Sequence, residues 1–202
     1  MPPNNRARYG RIAGLYDLLD APFERRYRPG RQLVGAASTG LTLELGTGTG
    51  KNLPYYGQAA RVIASDLSWE MLARAARRRR PLIRALVVAD AAHLPLRAAS
   101  IDTVVATFVC CVQCDPSPAL RETARVLRPG GQALFMEFAL PTHGWERWCM
   151  RALEPLLHAL YGVHWSYDLA ALLLAAGLEV REVRAIWPPM VQAFVAAKRL
   201  HR

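Results

Sequence analysis

The sequence predicts an α/β fold built on an open, largely parallel, doubly wound sheet, and three observations predict it. Short apolar runs alternate with amphipathic stretches through the middle of the 202-residue chain, the rhythm of strands joined by helices. Those runs read as strands buried on both faces, which suggests parallel pairing, whose connections must be crossover helices. A glycine-rich turn, LELGTGTGKN, stands directly behind the first run, at the C-terminal strand edge where such sheets hold ligands. A 52% hydrophobic composition supplies one sizeable core.

The elements follow in order. Residues 5 to 38 read as a helical extension carrying Tyr9, Ile12, Leu15, Tyr16, Leu18, Leu19 and Phe23. Strands are expected at Leu41–Leu45, Arg61–Asp66, Arg84–Ala89, Ile101–Phe108 and Gln132–Phe138. Ser68–Arg80 is a helix that Ser68 caps, with Met71, Leu72 and Ala75 on its apolar face. Pro118–Leu127 is another, stopped by the turn Arg128-Pro129-Gly130-Gly131. After the fifth strand, THGWERWCMRALEPLLHALYGVHW is too long for a plain crossover and is rich in Trp and Leu. Asp168–Ala176 is a helix closed by Gly177, and Leu178–Val183 and Ala193–Ala197 are the last strands. One domain, 1–202, is expected: a helical extension or lid at 1–38, a ligand-binding core at 41–138, an acceptor-side insertion at 139–166 and a C-terminal helix and strands at 167–202.

The formal charge of +10 is uneven: residues 1 to 80 hold 14 of the 26 Arg and Lys but 6 of the 16 Asp and Glu. Blocks at Arg25, Arg26, Arg28 and Arg31 and at Arg77–Arg80 suit either an Arg-rich surface or an anionic membrane. Zinc-finger, RNP and helix-turn-helix patterns are missing, so nucleic acid is not an expected partner. Cys110, Cys111 and Cys114 contain a C-x-x-C without a second ligand pair, and the first two end an apolar run. They read as core or pocket-lining thiols, and no metal is expected. The first residues lack the apolar stretch of a signal peptide, and no run reaches eighteen apolar residues. The expected location is cytoplasmic, with peripheral contact at the inner face of the membrane.

Gly46, Gly48 and Gly50 fall where the first strand turns toward a helix, so backbone N–H groups can face a ligand. Counting a dinucleotide fingerprint from Gly46 puts its third glycine on Lys51, and a Walker loop puts its first glycine on Leu45 and its hydroxyl on Asn52. Neither phosphate motif fits. Asp66 ends the second strand twenty residues after Gly46, where a carboxylate can accept ribose hydroxyls. Asp90, at the third strand end, suits an adenine amino group, with a backbone contact from Ala91. A ligand with ribose and adenine and little phosphate fits these positions. Asp102, at the start of its strand, reads as a structural carboxylate.

LELGTGTG, VIASDLSWEML, ADAAHLPL, IDTVVATFVCCV and LRETARVLRPGG together resemble the successive motifs of class I S-adenosylmethionine-dependent methyltransferases. RYGRIAGLYDLL, GTGKNLPYY, TFVCCVQCDPSPALRE, RPGGQALFMEF and GVHW are similar to a subgroup containing bacterial phosphatidylethanolamine N-methyltransferases of the ubiquinone-methyltransferase-like type and animal thiol methyltransferases. The resemblance implies a Rossmann-like seven-stranded sheet of order 3-2-1-4-5-7-6 with strand 7 antiparallel, and S-adenosylmethionine as cofactor, released as S-adenosylhomocysteine. It implies that Glu44, Gly46, Thr47, Gly48 and Gly50 meet the methionine part, Asp66 the ribose, and Asp90 with Ala91 the adenine, with Leu67 also at the cofactor. Thr107 and Phe108 would line the boundary with the acceptor.

Methyl transfer needs alignment and exclusion of water more than a strong base. Candidate acceptor-side groups are Tyr16, Glu137, His143 and His164. The Trp- and Leu-rich insertion and the basic N-terminal part favour a phospholipid or hydrophobic small molecule over a protein acceptor. Phosphatidylethanolamine nitrogen is the expected acceptor; O-methylation of a quinone precursor, S-methylation of a small thiol, and a non-catalytic cofactor-binding module are the alternatives. The sequence leaves the oligomeric state open.

Overall fold

The computed structural model describes residues 3–78, 80–139, 144–164, 167–188 and 190–199. The chain opens with α1 (Pro3–Ala37), which runs on through Pro22 and Pro29 although neither has an N–H to give the helix. The strands are β1 (Gly40–Leu45), β2 (Ala60–Asp66), β3 (Ile83–Val88), β4 (Ile101–Thr107), β5 (Leu127–Phe138), β6 (Leu178–Trp187) and β7 (Val191–Lys198). The remaining helices are α2 (Trp69–Ala75), α3 (Ser117–Val126), α4 (Trp145–Tyr161) and α5 (Leu169–Ala175).

The seven strands form one sheet in the order β3-β2-β1-β4-β5-β7-β6. β1 pairs in parallel with β2 and β4, β2 with β3, and β4 with β5. β7 runs antiparallel between β5 and β6. This is the expected architecture, helical extension and helical insertion included.

Continuous apolar strands feed two cores, because successive side chains leave opposite faces. Val104 and Ala106 of β4, with Ala133 and Phe135 of β5, join Leu120 of α3 and Leu173 of α5. Val105 and Leu134, their neighbours along the same strands, instead join Val34 of α1 and Ala75 of α2. Each large side chain so buried contributes roughly 1.5–3 kcal/mol of transfer free energy. Helices therefore seal both faces and leave the strand ends as the accessible edge.

Two expected elements are trimmed. The helix begun by Ser68, whose Oγ accepts the Met71 N–H at 3.2 Å, ends at Ala75 and passes into a 3-10 turn at Ala76–Arg78. Four successive arginines repel along a helix, Pro81 disfavours helical backbone before it, and Arg78 turns back toward the glycine loop. The Arg128–Gly131 turn lies within β5 as a bulge: Ile101 pairs with Leu127 but Thr103 with Gln132, and Gly130 has φ +75°. Asp102 is structural, as expected: its carboxylate accepts the Leu41 N–H at 2.7 Å and Arg128 Nη1 at 2.6 Å.

Candidate active site

Beyond Leu45 the chain leaves β1 through Gly46, Gly48 and Gly50, all at positive φ, with Gly48 at +58°. A Cβ on Gly48 would meet nothing nearer than the Gly46 carbonyl oxygen at 3.9 Å, so the backbone there presents an open face. Asp66, at the end of the adjacent β2, fixes that face. Its Oδ2 accepts the Gly48 N–H and its Oδ1 the Ser68 N–H, each at 2.8 Å. Burial raises its pKa, and these N–H bonds oppose the rise. Each oxygen keeps a further acceptor position.

Under the loop, Asn52 is a hub. Its amide donates to Glu44 Oε1 and to Thr107 Oγ1, both at 2.9 Å, while its oxygen accepts Arg31 Nη1 at 2.8 Å. The ends of β1 and β4 and the helix α1 thus meet on one side chain. Glu44 is fully buried, and burial pushes its carboxyl up to about 7 against the hydrogen bonds that lower it. The buried Tyr56 hydroxyl is among the groups that lower it.

On the other side of the cleft, the loop after β4 is held by Glu137 of β5. Its carboxylate accepts the N–H groups of Val109 at 2.7 Å, Cys110 at 2.8 Å and Cys111 at 3.2 Å. Burial lifts Glu137 to about 7, although the backbone donors pull it down. Phe108, just before this loop, has φ +56°, unusual for an aromatic residue. Its ring lines the cleft and lies 4.6 Å from Tyr27 and 4.9 Å from Phe138, centroid to centroid.

α1 covers the loop from above through acids at i, i+3 and i+7. Asp17 accepts the Thr49 hydroxyl and Arg78 Nη2, both at 2.6 Å. Asp20 pairs with Lys51, and Glu24 with Arg31 at 3.0 Å. Burial raises Asp17, yet the bonds from Thr49 and Arg78 bring it below the usual carboxylate range. Arg31 and Arg78, from the two basic blocks, are therefore engaged inside the chain. Tyr16, on the same stretch of α1, lines the cleft.

Of the residues expected at the site, Tyr16, Gly46, Gly48, Asp66, Leu67, Ala91, Thr107 and Phe108 line one cleft, together with Met71, Val109 and Val112, which sequence reading did not select. Glu44, Thr47, Gly50 and Asp90 are not among its lining residues. Asp90 accepts the Ala92 N–H at 2.9 Å and lies 3.6 Å from His93; burial raises it, but these partners lower it overall. Glu137, expected on the acceptor side, is wholly buried and directs both oxygens at backbone. His164 donates its N–H to the Cys111 carbonyl at 2.6 Å and stands outside the lining, its pKa lowered by burial and then by His158. His143 lies outside the described residues. Cys110 and Cys111 are buried free thiols, pushed up by burial and by Glu137. Among the described residues, no three His, Cys, Asp or Glu converge as metal ligands.

Asn52 and the Asp17, Asp20, Glu24 stripe are what sequence reading missed. The stripe's spacing was visible; the partners of Asp17 and Asp20, 31 to 61 residues away, were not. The open Gly48 face beside the Asp66 carboxylate fits a nucleoside.

A family model described as a methyltransferase domain matches residues 43–135. The chain is 31% identical over 167 residues to a phosphatidylethanolamine N-methyltransferase of Cereibacter sphaeroides, covering 81% of this chain and 82% of that one. It is 32% identical over 206 residues to a ubiquinone/menaquinone biosynthesis C-methyltransferase of Syntrophotalea carbinolica, covering 96% and 80%. A solved S-adenosylmethionine-dependent methyltransferase from Aquifex aeolicus shares the fold with a TM-score of 0.68 at 19% identity, over 92% of this chain and 97% of that one. Sheet order, glycine loop and kinship agree: the chain is a catalytic member of the class I S-adenosylmethionine-dependent methyltransferases, in the family related to the ubiquinone/menaquinone and phosphatidylethanolamine methyltransferases.

Proposed function

We propose that the protein methylates a hydrophobic, quinol-like aromatic acceptor. The observation that carries this reading is the aromatic wall: Phe108 lines the cleft and packs on Tyr27 and Phe138, and Tyr27 lies 6.1 Å from Trp187. Flat apolar walls suit a ring, since aromatic groups gain from offset and tilted packing beyond their buried area. The relative named for ubiquinone and menaquinone biosynthesis supports the same class. Phosphatidylethanolamine, expected from sequence and supported by the other relative, calls for a carboxylate that answers an ammonium. The acids of α1 beside the cleft are instead engaged with Lys51, Arg31 and Arg78.

S-Adenosylmethionine, when bound, supplies an electrophilic methyl on a sulfonium centre. Asp66 would hold its ribose hydroxyls, Glu44 and the Gly46–Gly50 loop its amino-acid part, and Ala91 with Asp90 its adenine. Thr107 and Phe108 would line the boundary between donor and acceptor. Tyr16, whose phenol burial keeps protonated, would donate to an acceptor oxygen. The proton released by the acceptor would leave to solvent at the mouth of the cleft, since His164 stands outside its lining. Helical cover from α1 would keep water from the reacting groups.

The test is turnover with labelled donor against three acceptors in parallel: a reduced short-chain naphthoquinol, phosphatidylethanolamine vesicles and an alkyl thiol. The expected outcome is a methylated quinol, located to ring carbon or oxygen by mass spectrometry. Methylation of the amine headgroup or the thiol with no product from the quinol overturns the reading.

A further inference from the structure

We propose that the exposed face of α4 docks on an anionic lipid bilayer and sets the mouth of the cleft against it. This rests on the reading of a lipid-soluble acceptor, since it names where that acceptor would be collected. Trp145 and Trp148 are 73% and 74% exposed, one helical turn apart, and Leu156 is 58% exposed further along the helix. At 100° per residue these three project from one narrow stripe, extended by half-exposed Leu153, while buried Met150 points to the opposite flank. Tryptophan is highly buried on average in folded chains. Two indoles left in solvent on one helix have the composition of an interfacial anchor, where an apolar ring meets the headgroup layer.

The location of the stripe ties it to the site. α4 leaves the sheet after Phe138, whose ring packs on cleft-lining Phe108, and returns through His164, whose N–H is given to Cys111 beside cleft-lining Val112. The C-terminal end of the helix is therefore tied beside the cleft, and the helix follows the strand whose last ring packs on Phe108. At the same sheet edge, Ala139 donates its N–H to Met190 in the β6–β7 turn, and Trp187, the last residue of β6, carries Arg26 over its ring at 4.4 Å. Arg25, Arg26 and Arg28 are exposed on α1 there, beside half-exposed Phe23. With a formal charge of +10 for the chain, this edge complements an anionic bilayer, to which each basic group near the surface adds attraction. No described helix is long and apolar enough to cross a membrane, so the contact is one of lying on the surface.

Sedimentation of the full chain with vesicles, without donor or acceptor, tests this independently of turnover. Vesicles of phosphatidylcholine doped with phosphatidylglycerol should bind it, pure phosphatidylcholine vesicles should bind it weakly, and added salt should release it. The double substitution Trp145→Ser, Trp148→Ser should lower binding roughly tenfold with S-adenosylhomocysteine affinity unchanged. In the unsubstituted protein, lipids brominated in the acyl chain should quench tryptophan fluorescence. Absence of quenching, equal binding by the double variant, or indifference to lipid charge overturns the proposal. So does a dimer in analytical ultracentrifugation that the double variant abolishes, because a second copy would then be what covers the stripe.

Discussion

Asp66 Oδ2 accepts the Gly48 N–H at 2.8 Å, and this bond joins the end of β2 to the glycine loop that follows β1. The same carboxylate receives the Ser68 N–H at the start of α2, so the proposed ribose ligand also shapes the loop it serves. Asp66→Ala should weaken S-adenosylhomocysteine binding by about 1.5 to 3 kcal/mol for each charge-assisted bond lost, tenfold or more in affinity. Titration calorimetry on the folded variant checks this, and unchanged affinity would remove Asp66 from the cofactor site.

Two glycines should respond differently to alanine. Gly48 has room for a Cβ but a φ of +58°, so Gly48→Ala should cost about 1–2 kcal/mol of backbone strain and should impair cofactor binding, because the methyl group enters the open face. Gly35 sits in α1 with ordinary helical backbone, where alanine usually stabilises by about 1 kcal/mol. Here a Cβ would stand 2.5 Å from the Tyr55 carbonyl oxygen. Gly35→Ala should therefore destabilise the protein in urea titration, against the propensity rule.

Glu44 and Glu137 both titrate at about 7 in the folded chain against an ordinary 4.5, chiefly through burial. The folded state then holds protons that the unfolded state has released. Stability is greatest below about 4.5 on this account and falls as the pH rises through about 7, by up to about 1.4 kcal/mol per pH unit for each group. Glu137→Gln should flatten that slope in urea titrations run at a series of pH values. Because a Gln amide group would face one of the three N–H donors from Val109, Cys110 and Cys111, the variant should also loosen the loop beside Phe108. A pH slope identical to that of the unsubstituted protein would contradict the assignment.

Asp17 joins the covering helix to the glycine loop through Thr49 and Arg78. The pair is partly exposed, so Asp17→Ala should cost about 1 kcal/mol or less of global stability. Its larger effect should be local: faster hydrogen exchange in the neighbouring stretch of α1, with weaker cofactor binding. Unchanged exchange in α1 would show that apolar packing alone holds the helix.

Much of the framework was legible before any coordinates. Leu41–Leu45, Arg61–Asp66 and Ile101–Phe108 announced themselves as strands because they are short, mainly apolar runs of strand length between turn residues, and Ser68 announced a helix because its hydroxyl sits three residues before the Met71 N–H it caps. The placement of Gly46, Gly48 and Asp66 at the cleft was legible for a similar reason: they lie at strand ends, where position in the chain translates directly into position at the edge. Glu137 was harder. Its residue type suggested chemistry, but only the packing of β5 beside β4 shows three N–H groups converging on its carboxylate.

The sequence by itself determined the strand and helix rhythm, the glycine loop and the carboxylate that faces it, because hydrophobic period and backbone freedom are properties of neighbouring residues. Tertiary structure alone decided that Asn52 would tie Glu44, Thr107 and Arg31 together, that the acids of α1 would meet Lys51 and Arg78, and that Trp145 and Trp148 would remain in solvent. Those outcomes depend on which buried surfaces meet once the chain closes on itself. That is a matter of shape and satisfied polar groups across long sequence separations, which no local pattern records.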